Sequence, residues 1–575
     1  MHRIRLHLLV TVVAGALAMG VVGAAADVGS GSGPPTSIGT GGAAASVEKL
    51  ATQAAVGILR SGGNAIDAAV AAAAVLGVTE PFSCGVGGGG FMVIRTPAGG
   101  VTTIDGRETA PAAMHPTSFF ENGVPLPFNS ARYSGLSVGV PGTVETWEEA
   151  LDRFGTMSLE EAFAPAIHVA RHGYVIDQNW FDFANSNRDW FDDIPASAAL
   201  YLDPDGTPRD VGTVFTNPEL AATYERIAHL GAKGFYRGAI ADALVETVQH
   251  PVVSPTANHV WRPGVMTMRD LHRYVAPERA PTHVRYRGTD VYSMGPPSSG
   301  GSTVGEALNI LEGWNLSALS REQALHYFLE ASRYSFADRN AFLADPAYFD
   351  VPLSGLISQA YADQRRASIG ETAAPGAVPP GDPYPFEGGE TTTHLVTSDK
   401  WGNVVSYTFT IESTGGAGLV VPGWGFLVNN ELTDFNFDST THPNRVEGGK
   451  RPRSSMAPTI VLKNGAPFLA LGSPGGATII TTVLQLLVDR IDRGLTLPQA
   501  IVDPRLSQRN AVNTGVEPAF LSDPDRAPLE ARGHHFTNAG EIGAATAIEF
   551  LPGGGVLAAA EPVRRGGGSA LTESP

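Results

Sequence analysis

The pattern of apolar and polar positions gives its strongest β signal between Thr392 and Glu412, TTHLVTSDKWGNVVSYTFTIE. Thr393 to Ser398 and Val404 to Ile411 are rich in β-branched and aromatic residues, with turn-forming residues Asp399 to Asn403 between them. A three-residue loop, Lys400-Trp401-Gly402, with Gly402 left-handed, sets Asp399 opposite Asn403. Counting outward sets Thr392 opposite Thr410. Period two puts Leu395, Val405, Tyr407, Phe409 and Ile411 on one apolar face. Thr392, His394, Ser406, Thr408 and Thr410 share the other, unless a bulge slips the register by one. Threonines and a single histidine on a sheet face are ordinary. Two facing hydroxyls beside an imidazole are also a candidate nucleophile site.

Helical periodicity predicts Ala-rich helices over Leu50 to Leu59 and Ala65 to Leu76, separated by the cap and turn residues Gly62-Gly63-Asn64. Further helical patterns cover Thr143 to Arg153, Leu159 to His172, Pro218 to Leu230, Ile240 to Val248, Arg321 to Leu343 and Ala477 to Leu495. Short strands are expected at Thr289 to Ser293, Ile460 to Lys463 and Pro467 to Leu471. Gly295 to Gly301 and Gly472 to Gly476 read as loops. This is mixed α and β without a solenoid period. Gly87 to Gly90 permits close packing or an anion-facing backbone. No Gly-Lys-Ser/Thr follows, which argues against a phosphate loop.

A chain of 575 residues suggests about three or four domains by length alone, and 43% hydrophobic content allows a large core. The net charge of −18 argues against nucleic-acid binding and against an anionic membrane surface. A single cysteine, Cys84, excludes an intramolecular disulfide and a multi-cysteine metal site. At the N-terminus, His2, Arg3 and Arg5 lead into an apolar run ending near Ala24-Ala25-Ala26. This pattern predicts a signal peptide over 1–26, with retention as an anchor the alternative. Residues 27–40 read as a flexible leader. Ala373 to Gly389, rich in Pro and Gly, reads as a mobile, poorly packed linker.

Charged candidates stand at the ends of predicted strands. Arg107, in Asp105-Gly106-Arg107-Glu108, is either a salt-bridged arginine or a bidentate clamp on a carboxylate. Glu431 and Asp434, in Asn429-Asn430-Glu431-Leu432-Thr433-Asp434, suit an ammonium group, although a solvated loop is the simpler reading of those residues alone.

Taken together, GGNAIDAAVA (62–71), the Gly87 to Phe91 run, IDGRETAP (104–111), GVPGT (139–143), GPPSSGG (295–301), TTH…TFTIE, NNELTDF, RPRSSMAPT and GSPGG resemble the γ-glutamyltranspeptidase family of N-terminal-nucleophile hydrolases. The motifs follow family order from about residue 40 to about 566. The resemblance implies an α+β fold, a four-layer αββα sandwich in which two subunits are intertwined. It implies self-cleavage between Thr391 and Thr392, giving a large subunit 27–391, with processing linker 373–391, and a small subunit 392–575. These would remain together as a heterodimer.

Thr392 would then be the nucleophile with its own α-amine as base, a recognised way of activating threonine. His394 becomes a supporting residue. Thr410 would orient the Thr392 hydroxyl, and the N–H groups of Gly475 and Gly476 would form the oxyanion hole. Arg107, with Ser454 and Ser455, would bind the substrate α-carboxylate, and Glu431 and Asp434 its α-ammonium. The implied activity is hydrolysis or transfer of γ-glutamyl groups from glutathione and related amides to water or an amino-acid or peptide acceptor. No cofactor or metal is implied. The implied location is secreted or periplasmic, or associated with the cell envelope. Family members usually carry Asn where this chain has Glu412, and an aromatic-Gly pair where it has Ser413 to Gly416. A short Asp434 to Ser454 segment predicts an open cleft. A glutaryl or cephalosporin-type acylase of the same fold and a non-catalytic secreted homologue are the alternatives.

Overall fold

The structure, a computed structural model, describes residues 33–381 and 392–573. The expected signal 1–26, leader residues 27–32, linker residues 382–390 and Thr391 lie outside them. Two seven-stranded antiparallel sheets form the centre of the fold. The first runs in the order Ser569–Thr572, Ala43–Ser46, Thr393–Ser398, Val404–Thr410, Gly89–Arg95, Val101–Gly106, Glu278–Arg279. The second runs Thr36–Gly39, Val556–Ala560, Thr546–Phe550, Ala466–Gly472, Thr459–Lys463, Thr289–Ser293, Thr282–Tyr286. Thr36–Gly39, expected to be flexible leader, is instead an edge strand paired with Val556–Ala560.

The central hairpin has the register that its alternation predicts. Thr393 pairs with Phe409, His394 with Thr408 and Ser398 with Val404, so continuing the count sets Thr392 opposite Thr410. Gly402 is left-handed at φ +96. The Asp399 carboxylate fixes the turn by accepting from the backbone N–H groups of Trp401 at 2.8 Å and Asn403 at 3.0 Å. It also accepts from Ala65 N at 3.0 Å, which ties the turn to the first turn of the helix Ala65–Thr79.

Both faces of the hairpin are buried. Leu395, Val405, Tyr407 and Phe409 pack with the helices Lys49–Arg60, Ala65–Thr79, Thr143–Phe154, Leu159–His172 and Pro218–Leu230. On the opposite face Val396 and Val404 pack with Ile460, Val461 and Leu469 of the second sheet. Helices Gly300–Leu311 and Thr478–Ile491 share that core. The four layers are therefore helix, sheet, sheet, helix. The polar face survives between the sheets because it is stitched to them. Ser406 Oγ donates to Leu471 O at 3.1 Å and accepts from Thr459 N at 3.0 Å.

Leu159–His172 and Pro218–Leu230 match their predicted spans, each with a side-chain N-cap and a terminal glycine. Several helices escape the pattern reading, the two longest among the described residues being Gln178–Phe191 and Gly300–Leu311. Gln178–Phe191 buries a stripe of Trp180, Ala184, Asn187 and Phe191, whose spacing is helical but whose residue types are mixed. Gly300–Leu311 begins inside the glycine-rich stretch taken for a loop.

The described part of the linker is not poorly packed. Ala374 N donates to Glu330 Oε2 at 3.1 Å, Arg333 Nη1 to Gly376 O at 3.0 Å and Gly381 N to Asp338 Oδ1 at 2.7 Å. All three partners lie on the helix Arg321–Phe342. Val378 N adds a bond to Asn510 Oδ1 at 2.7 Å. A Pro/Gly-rich composition predicts weak secondary structure, yet backbone groups can still be claimed by side chains of a neighbouring helix. Among the described residues no helix is long and apolar enough to cross a membrane.

Candidate active site

Thr392, Thr410, Glu412, Arg107, Glu431, Asp434, Ser454, Ser455 and Gly476 line one cleft, with Met456 and Ile479. The cleft holds about 280 Å3 of free space, part of it open to solvent. Thr392 is 4% exposed and Thr410 2%. Thr410 Oγ1 accepts from Glu412 N at 2.8 Å, which holds its hydroxyl where the hairpin ends. Arg565 Nη1 donates to the Thr392 carbonyl at 2.6 Å.

His394 lies on the second-sheet side of the hairpin, fully buried, with Nδ1 2.8 Å from Thr408 Oγ1. Burial pushes its pKa down to about 3, so the ring is neutral at physiological pH. A side chain at Gly472 would collide with it, since a Cβ there would fall 2.4 Å from the imidazole. The histidine thus braces the strand that leads into Ser473-Pro474-Gly475-Gly476. Gly475 and Gly476 have φ of +127 and +54, and the helix Thr478–Ile491 starts just beyond them. The N-terminal end of a 14-residue helix favours negative charge, and Gly476 presents that end to the cleft.

The charged wall differs from the expected arrangement. An arginine on one side and two carboxylates on the other is not what forms. Arg107 is ion-paired directly with both Glu431 and Asp434, and also donates to Pro452 O at 3.1 Å and Arg453 O at 3.0 Å. Glu431 is fully buried rather than part of a solvated loop, because the short helix Glu431–Asp434 packs Leu432 inward. Ser455 Oγ accepts from Arg339 Nη2 at 2.6 Å, and Ser454 Oγ from Met456 N at 3.1 Å.

Besides Arg565, three participants were not singled out from the sequence. Glu108, beside Arg107, is fully buried with neither carboxylate oxygen accepting from an N–H or hydroxyl group of the described residues, so that its hydrogen-bonding partner is the raised Glu431 carboxyl. Asn430 Nδ2 donates to Glu412, which is left-handed at φ +77 and also accepts from Ser413 Oγ. Arg339, on the helix Arg321–Phe342, brings a cation to Ser455. Glu108 and Asn430 stand inside quoted motifs, so their position was visible. Arg339 lies in a long helical pattern with nothing to distinguish it.

Burial raises Glu108 to about 7 against the pull of Arg107. Burial, then the nearby Asp434, raises Glu412 to about 7. Burial also lifts Glu431 well above the carboxylate range, opposed by Arg107. Three carboxyl groups, Glu108, Glu431 and Asp434, thus act on the Arg107 guanidinium, with Glu412 near Asp434.

The family model for gamma-glutamyltranspeptidase matches residues 51–571. The glutathione hydrolase proenzyme of Bacillus subtilis (strain 168) is 37% identical over 535 residues, 89% of this chain and 88% of the relative. The acylase ACY 1 proenzyme of Pseudomonas sp. (strain V22) is 36% identical over 525 residues, 89% and 90% respectively. Among solved structures, the cephalosporin acylase from Bacillus halodurans superposes with a TM-score of 0.84 at 29% identity, covering 94% of this chain and 97% of that one. On this match and these relatives, the chain belongs to the gamma-glutamyltranspeptidase family and is an enzyme of the N-terminal-nucleophile hydrolase fold.

Proposed function

We propose that the chain is exported, cuts itself between Thr391 and Thr392, and then hydrolyses or transfers the γ-glutamyl group of glutathione and related amides. The Thr392 hydroxyl attacks the carbonyl of Thr391, the acyl group moves from nitrogen to oxygen, and hydrolysis of that ester frees the Thr392 amine. Residues 27–391 and 392–575 stay together as a heterodimer. Support for this comes from the first sheet, where Thr393–Ser398 lies between Ala43–Ser46 and Val404–Thr410.

In turnover the freed amine accepts the Thr392 hydroxyl proton as the oxygen attacks the γ-carbonyl. Its reference pKa of about 7.7–8.0 leaves a usable neutral fraction near pH 7. Negative charge on the carbonyl oxygen faces the N–H groups of Gly475 and Gly476, each such donor contributing on the order of 3 kcal/mol. The amine returns the proton to the leaving nitrogen as the C–N bond breaks. Water or an amino acceptor then attacks the ester, losing its proton to the same amine, and Thr392 is regenerated. Thr410 orients the hydroxyl. Arg107, Ser454 and Ser455 receive the α-carboxylate, and Glu412, Glu431 and Asp434 the α-ammonium.

The observation that carries this reading is the excess of carboxyl groups around Arg107 at the nucleophile's cleft. A substrate bringing one carboxylate and one ammonium lets Arg107 exchange a carboxylate partner and gives the displaced one a cation. The second reading is a glutaryl or cephalosporin-type acylase. It is favoured by the direct pairing of Glu431 and Asp434 with Arg107, which spares both from standing unpaired when no ammonium is bound. Comparing γ-glutamyl and glutaryl anilides decides between them. The γ-glutamyl compound should have kcat/KM higher by on the order of 100-fold, since a polar site rejects an analogue that leaves its groups unpaired. Equal rates would overturn the ammonium assignment and favour the acylase.

A further inference from the structure

The stretch 295–301 matches a family motif yet enters no step of the chemistry above. It carries one wall of the cleft. Ser454 N donates to Pro297 O at 3.1 Å, and Ser299 N donates to Ser454 O at 2.8 Å. Ser299 Oγ donates to the same carbonyl at 2.6 Å. Arg339, on the helix Arg321–Phe342 and only 7% exposed, bridges this seam. Its Nε donates to Ser299 Oγ at 2.8 Å, its Nη2 to Ser455 Oγ at 2.6 Å and its Nη1 to Asn340 Oδ1 at 2.9 Å.

A guanidinium can only donate, so a serine oxygen that accepts from it must send its own proton elsewhere. Ser299 sends its proton to the Ser454 carbonyl. Ser455 Oγ donates to nothing among the described residues, and Ser455 lines the cleft. Ser454 Oγ, which accepts from Met456 N at 3.1 Å, likewise donates to nothing among them. Two neighbouring hydroxyl protons on one wall are therefore available to an anion. Arg107 alone serves that anion poorly. Of its five N–H groups, one donates to Pro452 O, one to Arg453 O, one to Glu431 and one to Asp434, which leaves one. A bidentate grip on a carboxylate would cost it a partner.

We propose that Arg339 is a positioning residue for the substrate carboxylate: by bridging Ser299 and Ser455 it fixes the Ser454–Ser455 wall on the 295–301 loop and leaves the Ser455 proton for the carboxylate. This rests on the reading above, which brings a carboxylate to these serines whether the donor is γ-glutamyl or glutaryl. The role lies in the direction of the bonds and not in net charge. Asp434 attracts the Arg339 guanidinium, Arg453 and Arg509 repel it, and Asp434 attracts Arg453 as well. No bond of the bridge depends on how those charges sum.

Anilides that differ only at the carboxylate test this. The γ-glutamyl and glutaryl anilides both carry it, so whichever the folded enzyme hydrolyses better is measured beside its carboxamide analogue. Wild type should prefer the carboxylate by on the order of 100-fold in kcat/KM. Arg339→Met should raise KM for the carboxylate about tenfold, with a smaller change in kcat, and cut the preference by the same factor. Arg339→Lys should remain impaired, because one ammonium does not reproduce a fork across two hydroxyls. Combining Arg339→Met with Ser455→Ala should cost no more than Ser455→Ala alone, since both remove the same contact. Activity that falls equally on carboxylate and carboxamide would make Arg339 merely structural and overturn the proposal. So would a lysine variant that matches wild type, or losses that multiply in the double variant. Ser299→Ala removes one end of the bridge and leaves the guanidinium, so it should lower the preference by a smaller factor. If the Arg339 variants do not fold, that variant decides, and an unchanged preference defeats the proposal. A wild type that hydrolyses neither anilide sinks the substrate reading and this proposal together. One that prefers the glutaryl anilide but still needs its carboxylate faults only the ammonium assignment.

Discussion

Two buried charge clusters in this molecule are built from the same residue types and balance differently. Near the C-terminus Arg505 and Arg564 face Glu517 and Glu561, two cations for two anions. All four carboxylate oxygens there accept hydrogen bonds, Glu517 also from the backbone N–H groups of Arg505 and Ile542. Burial alone would raise Glu517, but the bonds from Arg564 outweigh it and its pKa is lowered. At the cleft, Arg107 is surrounded by Glu108, Glu431 and Asp434 with Glu412 close by, and neither Glu108 oxygen nor Glu431 Oε2 accepts from an N–H or hydroxyl group of the described residues, which leaves the two carboxyl groups to share a proton between them. The balanced cluster holds structure together. The unbalanced one is costly unless protons or a cationic ligand complete it, and it lies beside the candidate nucleophile.

Substitution separates the two most strongly. Arg107→Met should raise KM by on the order of 100-fold with a smaller change in kcat, because it removes contacts made to substrate in ground and transition states alike. Arg505→Met, in the balanced cluster, should cost about 3–5 kcal/mol of stability in denaturant titration and leave KM of the folded enzyme within about twofold. If both variants gave the same phenotype, the distinction between ligand site and scaffold would fail.

Stability against pH gives the next largest effect, with opposite signs. Glu108 is raised when folded, so the folded state holds its proton longer than the unfolded chain, and stability falls as pH rises from about 4.5 through about 7. Glu108→Gln should therefore stabilise the enzyme by about 1–3 kcal/mol at pH 8 and do little at pH 4.5. Glu517 is lowered, so its contribution is present above the unfolded pKa and lost as pH falls through the folded value. Glu517→Gln should destabilise at pH 7 and progressively less in acid, which thermal melts over pH 3–8 will follow. The smallest effect belongs to Glu412. As Glu412 ionises near pH 7, KM for an ammonium-bearing donor should drop a few-fold between pH 6 and 8, and Glu412→Gln should flatten that slope.

Much of the frame was legible because local chemistry and tertiary structure agree. The hairpin register follows from Asp399 and Gly402 at the turn and from strict alternation, and the αββα fold follows from the family motifs. The cleft membership of Thr392, Thr410, Glu412, Arg107, Glu431 and Asp434 was likewise visible in motif order. What was not legible depends on distant contacts. The pairing of Arg107 with Glu431 brings together residues 324 apart, and no periodicity encodes it. The ordering of 373–381 is decided by side chains of the helix Arg321–Phe342, and the strand Thr36–Gly39 by a partner more than 500 positions away. Both segments have a loop-like composition and take their order from elsewhere.

The central claim is that Thr392 becomes an N-terminus. Intact-mass and N-terminal analysis of the purified protein tests it most directly. A small subunit beginning at Thr392 is expected, together with a Thr392→Ala variant that remains a single chain and is inactive. An active wild-type protein that stays uncut, or a Thr392→Ala variant that still yields two subunits, would contradict the account.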